Sequence, residues 1–146
     1  MLYLDTSVLV PLFVPEPLSE PMRAWFEVQA STTAGATLAI SAWTLTEFAS
    51  AIRIKVRDKG LMPEQAKTAC ALMQKLQLDS LRMFTPTRST FERAAEYLAQ
   101  HALGLRAGDA LHLAIAQNEN VDCFYTLDRR LIEAARKLKL RVESPI

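Results

Sequence analysis

Met1-Leu2-Tyr3-Leu4-Asp5-Thr6-Ser7-Val8-Leu9-Val10 opens the chain with an apolar run that stops at a carboxylate. Leu2 to Leu4 have no polar face, as expected of a strand covered on both sides in a parallel sheet. Asp5, Thr6 and Ser7 are good helix-capping residues, and Val8, Leu9, Leu12 and Phe13 then recur at helical spacing. A buried strand that passes straight into a helix is the first half of a βα unit. In open α/β sheets, ligands sit outside the carboxyl ends of the strands, so Asp5 is expected at that edge.

Outward from this stretch, strand and helix patterns alternate. Pro15-Glu16-Pro17 breaks the first helix, and Ser19 to Gln29 carries Met22, Trp25, Phe26 and Val28 around a second; residues 31 to 35 form a small-residue loop. Thr37 to Ile40 predicts a second strand, followed by a helix from Leu45 to Lys59 with Leu45, Phe48, Ala49, Ile52 and Val56 as its core stripe. Gly60 ends it, and Met62-Pro63-Glu64 opens a partner helix whose stripe is Ala66, Ala69, Cys70, Met73 and Leu76. Leu81 to Thr85 predicts a short strand, and Thr87 to His101 a helix through Phe91, Ala94, Ala95 and Leu98. Ala110 to Gln117 is almost wholly apolar and demands burial on most sides. Asp122 to Leu127 reads as a strand, Arg129 to Lys139 as a helix and Leu140 to Glu143 as the last strand. This alternation predicts an α/β fold, a parallel sheet flanked by helices.

The 146 residues, half of them hydrophobic, suffice for one domain with a full core, and residues 1–146 are read as one. Seventeen basic residues against sixteen acidic leave no global signature of a nucleic-acid binder, so an anionic partner must be held by local patches. Cys70 and Cys123 have neither metal-binding spacing nor the density of a disulfide scaffold, and are expected as reduced core residues. No apolar run approaches the roughly 20 residues of a membrane span, and the N-terminus lacks a basic leader segment. A cytoplasmic protein without a membrane association is expected.

Four acids fall at corresponding junctions. Asp5 follows the first strand, Glu47 lies at the start of the helix after the second, Asp109 opens the buried helix, and Asp128 follows the strand at Phe124. In a parallel α/β fold such positions share one edge of the sheet, so the four carboxylates are candidates to converge. Each also has a structural reading: Asp5, Asp109 and Asp128 as N-caps, and Glu47 as the acid of a Thr44-x-x-Glu47 capping box. Against that reading, Asp5 and Asp109 press on apolar runs, where acids are costly unless paired or bound to a cation. Two carboxylates about 4 Å apart repel by roughly 4 kcal/mol at an effective dielectric near 20, so a cluster of four requires positive charge. Hard oxygen donors suit Mg²⁺ or Mn²⁺, which complete their shells with water and substrate phosphate, the chemistry of phosphodiester hydrolysis.

At these residues the chain resembles a family. Leu2-Tyr3-Leu4-Asp5-Thr6-Ser7-Val8-Leu9, Glu47 at a helix start, Leu105-Arg106-Ala107-Gly108-Asp109-Ala110-Leu111-His112, and Tyr125-Thr126-Leu127-Asp128-Arg129-Arg130-Leu131 look like the four motifs of PIN-domain ribonucleases, most closely VapC-type toxins of toxin-antitoxin pairs. The likeness runs from Leu2 to Val142. It implies a three-layer α/β/α sandwich and a Mg²⁺ or Mn²⁺ site formed by Asp5, Glu47, Asp109 and Asp128, with Thr6, Ser7 and Thr126 as hydroxyl neighbours. It further implies an RNA substrate, a homodimer and a cognate VapB-type antitoxin.

His112 lies one turn after Asp109; it is read as a buried histidine with an internal hydrogen bond rather than as a ligand. Arg129 and Arg130 directly follow Asp128 and are candidates to hold an RNA phosphate. Trp25, Phe26 and Trp43 are expected to pack rather than to stack on bases. The rival classes are a non-catalytic RNA-binding or scaffolding protein of the same fold and a Mg²⁺-dependent phosphoacceptor domain. The second expects paired acids near the first strand and a strand-end lysine, and the chain has neither.

Overall fold

The computed structural model describes residues 1–31 and 37–146; the expected loop at 31 to 35 therefore lies, beyond Ser31, outside the described residues. Five short strands, β1 (Leu2–Leu4), β2 (Leu38–Ser41), β3 (Arg82–Phe84), β4 (Cys123–Tyr125) and β5 (Val142–Glu143), form one parallel sheet in the order β3-β2-β1-β4-β5. The chain builds outward from β1 to β2 and β3 on one side, then returns to place β4 and β5 on the other. The direction of winding thus reverses at β1, the switch point where crevices form beyond the strand ends.

Alternation of side chains along each strand divides the core in two. Tyr3, Ala39, Phe84, Phe124 and Val142 face one layer, where α5 (Arg88–Leu98), α6 (Ala107–Asn118) and α7 (Arg129–Lys137) pack. Leu4, Leu38, Ile40, Cys123 and Tyr125 face the other, covered by α1 (Thr6–Phe13), α2 (Ser19–Ser31), α3 (Ala42–Arg57) and α4 (Pro63–Ser80). This is a three-layer α/β/α sandwich. In α6, Ala110 to Ala116 are all buried, as its apolar composition demands. Cys123 is buried and Cys70 partly so, both as free thiols, and Trp25 packs on Tyr125 with ring centroids 4.9 Å apart.

Two expected core stripes hold only in part: Phe48 and Ile52 of one and Ala94 of the other are buried, but their neighbours are not. In α5 the buried residues are Thr90, Ala94 and Tyr97, while Phe91 is 55% and Leu98 38% exposed. Both sets share the helical period, and Thr90 is drawn inward because its hydroxyl accepts the Thr87 backbone N–H and the Asn118 amide. In α3 the inward residues are Thr44, Phe48 and Ile52, with Leu45 and Ala49 turned outward. That helix begins at Ala42, three residues earlier than the sequence suggests, because Ser41 rather than Thr44 caps it.

Candidate active site

Asp5 leaves β1 with its amide hydrogen-bonded to the Tyr125 carbonyl at 3.0 Å, which fixes it between β1 and β4. It holds the N-cap position of α1 but makes no capping bond with its side chain. Instead Oδ2 accepts the hydroxyls of Ser7 at 2.6 Å and Thr126 at 2.7 Å. These hydroxyls are held in turn: Ser7 Oγ accepts the Leu127 amide and Thr126 Oγ1 the Asp128 amide. The polar residues that follow β1 and β4 thus form one knot around a carboxylate only 7% exposed.

Glu47 is reached from β2. The capping box of α3 pairs Ser41 with Thr44, not Thr44 with Glu47, so Glu47 sits further into the helix and is free of capping duty. Its Oε2 accepts Thr6 Oγ1 at 2.7 Å and His112 Nε2 at 2.5 Å. His112 is buried, and its Nε2 also lies 3.4 Å from Asp5 Oδ1. Its Nδ1 meets the Tyr3 hydroxyl at 2.7 Å, and that hydroxyl donates to Ser41 Oγ. Both ring nitrogens thus face an oxygen, the phenol at Nδ1 and the Glu47 carboxylate at Nε2, an arrangement that suits the charged form of the ring. Burial pushes the ring's pKa down, but the Glu47 hydrogen bond and the charges of Asp5 and Glu47 outweigh it and raise it. Burial likewise pushes Glu47 up, and its bond to His112 and that ring's charge bring it below the usual range.

The other two acids stand at helix starts. Asp109 is not the N-cap of α6: Arg106 holds that position, and Asp109, one turn in, accepts the Arg106 amide on Oδ2 at 3.3 Å. Its carboxyl is held above the ordinary range, by burial first and then by the charges of Asp128 and Asp5. Asp128 is an N-cap, its Oδ1 accepting the amides of Arg130 at 2.8 Å and Leu131 at 3.3 Å.

All four acids, with Thr6 and Ser7, line one groove. Asp5, Glu47 and His112 bring their ligand atoms within 4.8 Å of one another; Asp109 and Asp128 line the groove without joining that compact group. A regularity runs through the set. In each acid one oxygen is tied by donors of the protein, and the other, Asp5 Oδ1, Glu47 Oε1, Asp109 Oδ1 or Asp128 Oδ2, accepts no hydrogen bond among the described residues. Such a hard, oriented oxygen set fits a divalent cation. Trp43 also lines the groove; its indole nitrogen is buried beside Glu47 without reaching hydrogen-bond geometry. Gly108 makes the closure possible, since a Cβ there would lie 2.8 Å from Glu47 Oε1 and 3.4 Å from the Trp43 ring.

The structure separates the two arginines singled out after Asp128. Arg130 lines a cavity with Arg106, Asp109 and Asp128, whereas Arg129 lines a different groove with Leu18, Ile132 and Ile146. The contact between His112 and Glu47 joins residues 65 apart in sequence. The only local sign of it is a histidine in an otherwise apolar helix.

The PIN domain family model matches residues 2–137. The chain is 33% identical to Ribonuclease VapC35 of Mycobacterium tuberculosis over 99% of its own length and 97% of that protein's. Among solved structures it superposes on M. tuberculosis VapC20, a sarcin-ricin loop cleaving toxin, with a TM-score of 0.69 and 18% identity, over 92% of this chain and 95% of that one. It also superposes on Rickettsia felis VapBC2, bound to a promoter DNA fragment, with a TM-score of 0.70 and 22% identity, over 99% and 98%. At these identities the structural likenesses speak for the fold.

Proposed function

Because the chain belongs to the PIN-domain family, among its VapC ribonucleases, we propose that it is a divalent-metal-dependent endoribonuclease, the toxin of a toxin-antitoxin pair. The observation that carries this reading is the single groove lined by Asp5, Glu47, Asp109 and Asp128, each with one oxygen tied and the other accepting no hydrogen bond among the described residues. Mg²⁺ or Mn²⁺ bound there would polarise the scissile phosphate and lower the pKa of a water. Ser7, Thr126 and Thr6 hold the Asp5 and Glu47 carboxylates in fixed orientations, so little reorganisation is needed when substrate arrives. His112 sits on the inner side of the cluster, and its bond to Glu47 favours the ionised form of that carboxylate. A carboxylate of the set takes the proton of the attacking water.

The protein acts in the cytoplasm as a homodimer, restrained by a VapB-type antitoxin; a solved neighbour is itself a VapBC assembly. No helix among the described residues is long and apolar enough to cross a membrane.

The test is cleavage of single-stranded RNA by the purified chain. Cleavage is expected with Mg²⁺ or Mn²⁺, is abolished by EDTA and by Asp5→Asn, and is indifferent to thiol-blocking reagents. Activity that survives exhaustive chelation, or an Asp5→Asn variant as active as the wild type, sinks the proposal. Expression should arrest growth, and co-expression of a cognate VapB-type antitoxin should relieve it.

A further inference from the structure

Beside the carboxylates lies a second cavity, lined by Gly104, Leu105, Arg106, Arg130 and Leu131, which shares Asp109 and Asp128 with the main groove. Arg106 lines both. The backbones of its two arginines are fixed in the same way: the Arg106 amide donates to Asp109 Oδ2, and the Arg130 amide donates to Asp128 Oδ1. Each acid thus spends one oxygen on the backbone of the arginine beside it. Neither guanidinium is in an ion pair among the described residues, whereas elsewhere Arg88 pairs with Glu92 and Arg141 with Glu143. Two guanidiniums without an ion pair, on backbones fixed at the edge of an acidic groove, are a receptor for an anion, and the planar fork of arginine suits phosphate.

We propose that this cavity is a phosphate subsite for the RNA nucleotide next to the scissile bond, with Arg106 and Arg130 as its two arms; this rests on the ribonuclease reading above. The continuity of the two cavities through Arg106, Asp109 and Asp128 favours an extended polyanion over a compact anion. One phosphate of a strand lies at the carboxylates while its neighbour lies between the guanidiniums. The arginines also offset the repulsion that the acidic cluster imposes on an approaching strand.

The experiment compares Arg106→Ala, Arg130→Ala and, as a control for charge alone, Arg93→Ala, whose exposed side chain lies by the C-terminal end of α6. Binding of a labelled single-stranded RNA is read by fluorescence anisotropy in EDTA over a salt series, and KM and kcat are read in Mg²⁺. Arg106→Ala and Arg130→Ala should each weaken binding and raise KM roughly tenfold, the size of a lost charged hydrogen bond. Each should also lower the salt slope by about one, with a larger effect on KM than on kcat and a melting temperature within error of wild type. Arg93→Ala should change binding less than about twofold, and Arg106→Lys should restore part of the loss, supplying the charge without the fork. Wild type that cuts RNA while both alanine variants behave like Arg93→Ala overturns the subsite alone. The subsite is equally overturned if the variants keep RNA affinity and lose only affinity for an acidic peptide. Wild type that neither binds nor cuts RNA overturns the ribonuclease reading, and the subsite with it.

Discussion

Asp5 has no spare donor around it to misplace. Oδ2 takes two hydroxyl protons and Oδ1 lies 3.4 Å from His112 Nε2, so a donor group stands beside each oxygen. Counting carboxylates alone makes Asp5→Asn stabilising, because it removes like charge. The His112 ring reverses that sign: the amide of an asparagine must point its NH₂ either at two hydroxyl donors or at the ring N–H. Asp5→Asn is therefore expected to lower the stability of the metal-free protein by about 1–3 kcal/mol, the cost of unmatched buried donors. Urea unfolding in EDTA measures it, and a variant more stable than wild type would show that repulsion among the carboxylates outweighs these contacts.

At the scale of the element, α6 carries most of the site's wiring. Its first turn presents Arg106, Gly108 and Asp109, and His112 follows one turn later on a segment buried from Ala110 to Ala116. A glycine inside a helix ordinarily costs about 1 kcal/mol relative to alanine, so Gly108→Ala should stabilise the helix by propensity alone. Here the added methyl would lie 2.8 Å from Glu47 Oε1, and the carboxylate must move. The expected outcome is a melting temperature within a few degrees of wild type, set by these opposing effects. Mn²⁺ affinity and cleavage should fall at least tenfold, since small displacements of a reacting constellation are costly. Isothermal titration with Mn²⁺ reads the first effect without reference to activity. Unchanged affinity would mean that Glu47 Oε1 is no ligand.

For the whole molecule, the groove couples stability to metal and to pH. Asp109 is held above the ordinary carboxyl range by burial, then by Asp128 and Asp5. The folded metal-free protein therefore takes a proton there more readily than the unfolded chain does. That stabilisation is complete below the unfolded pKa of about 3.9 and is lost as pH rises through the folded value. At neutral pH the charge is a burden, so Asp109→Asn should melt about 1–2 °C above wild type in EDTA, a small gain because solvent screens this half-exposed group. Mn²⁺ at about a hundred times its Kd should stabilise wild type by about 2.7 kcal/mol and Asp109→Asn by much less. Thermal scans with and without Mn²⁺ decide the matter: equal shifts in both proteins would remove Asp109 from the site.

The sequence by itself determined the order of strands and helices, the parallel α/β class and the placement of Asp5, Asp109 and Asp128 where strands or loops hand over to helices. These follow from local physics: runs without a polar face make covered strands, and capping residues mark helix starts. It also left open which of the acids cap a helix with their side chains, and only the tertiary structure answers that. Asp128 caps its helix with its side chain, Asp5 spends its side chain on Ser7 and Thr126, and Glu47 lies outside the capping box of α3. Periodicity gives the spacing of a buried stripe but not its phase, so Thr90 and Tyr97 turn inward where Phe91 and Leu98 were expected. The partnership of His112 with Tyr3, Glu47 and Asp5, and the pairing of Arg130 with Arg106 rather than Arg129, depend on which strands are neighbours and how the helices seat on them. Contacts across 65 and 109 residues leave no trace in local pattern, because they are decided by packing the whole sheet and its two helical layers at once.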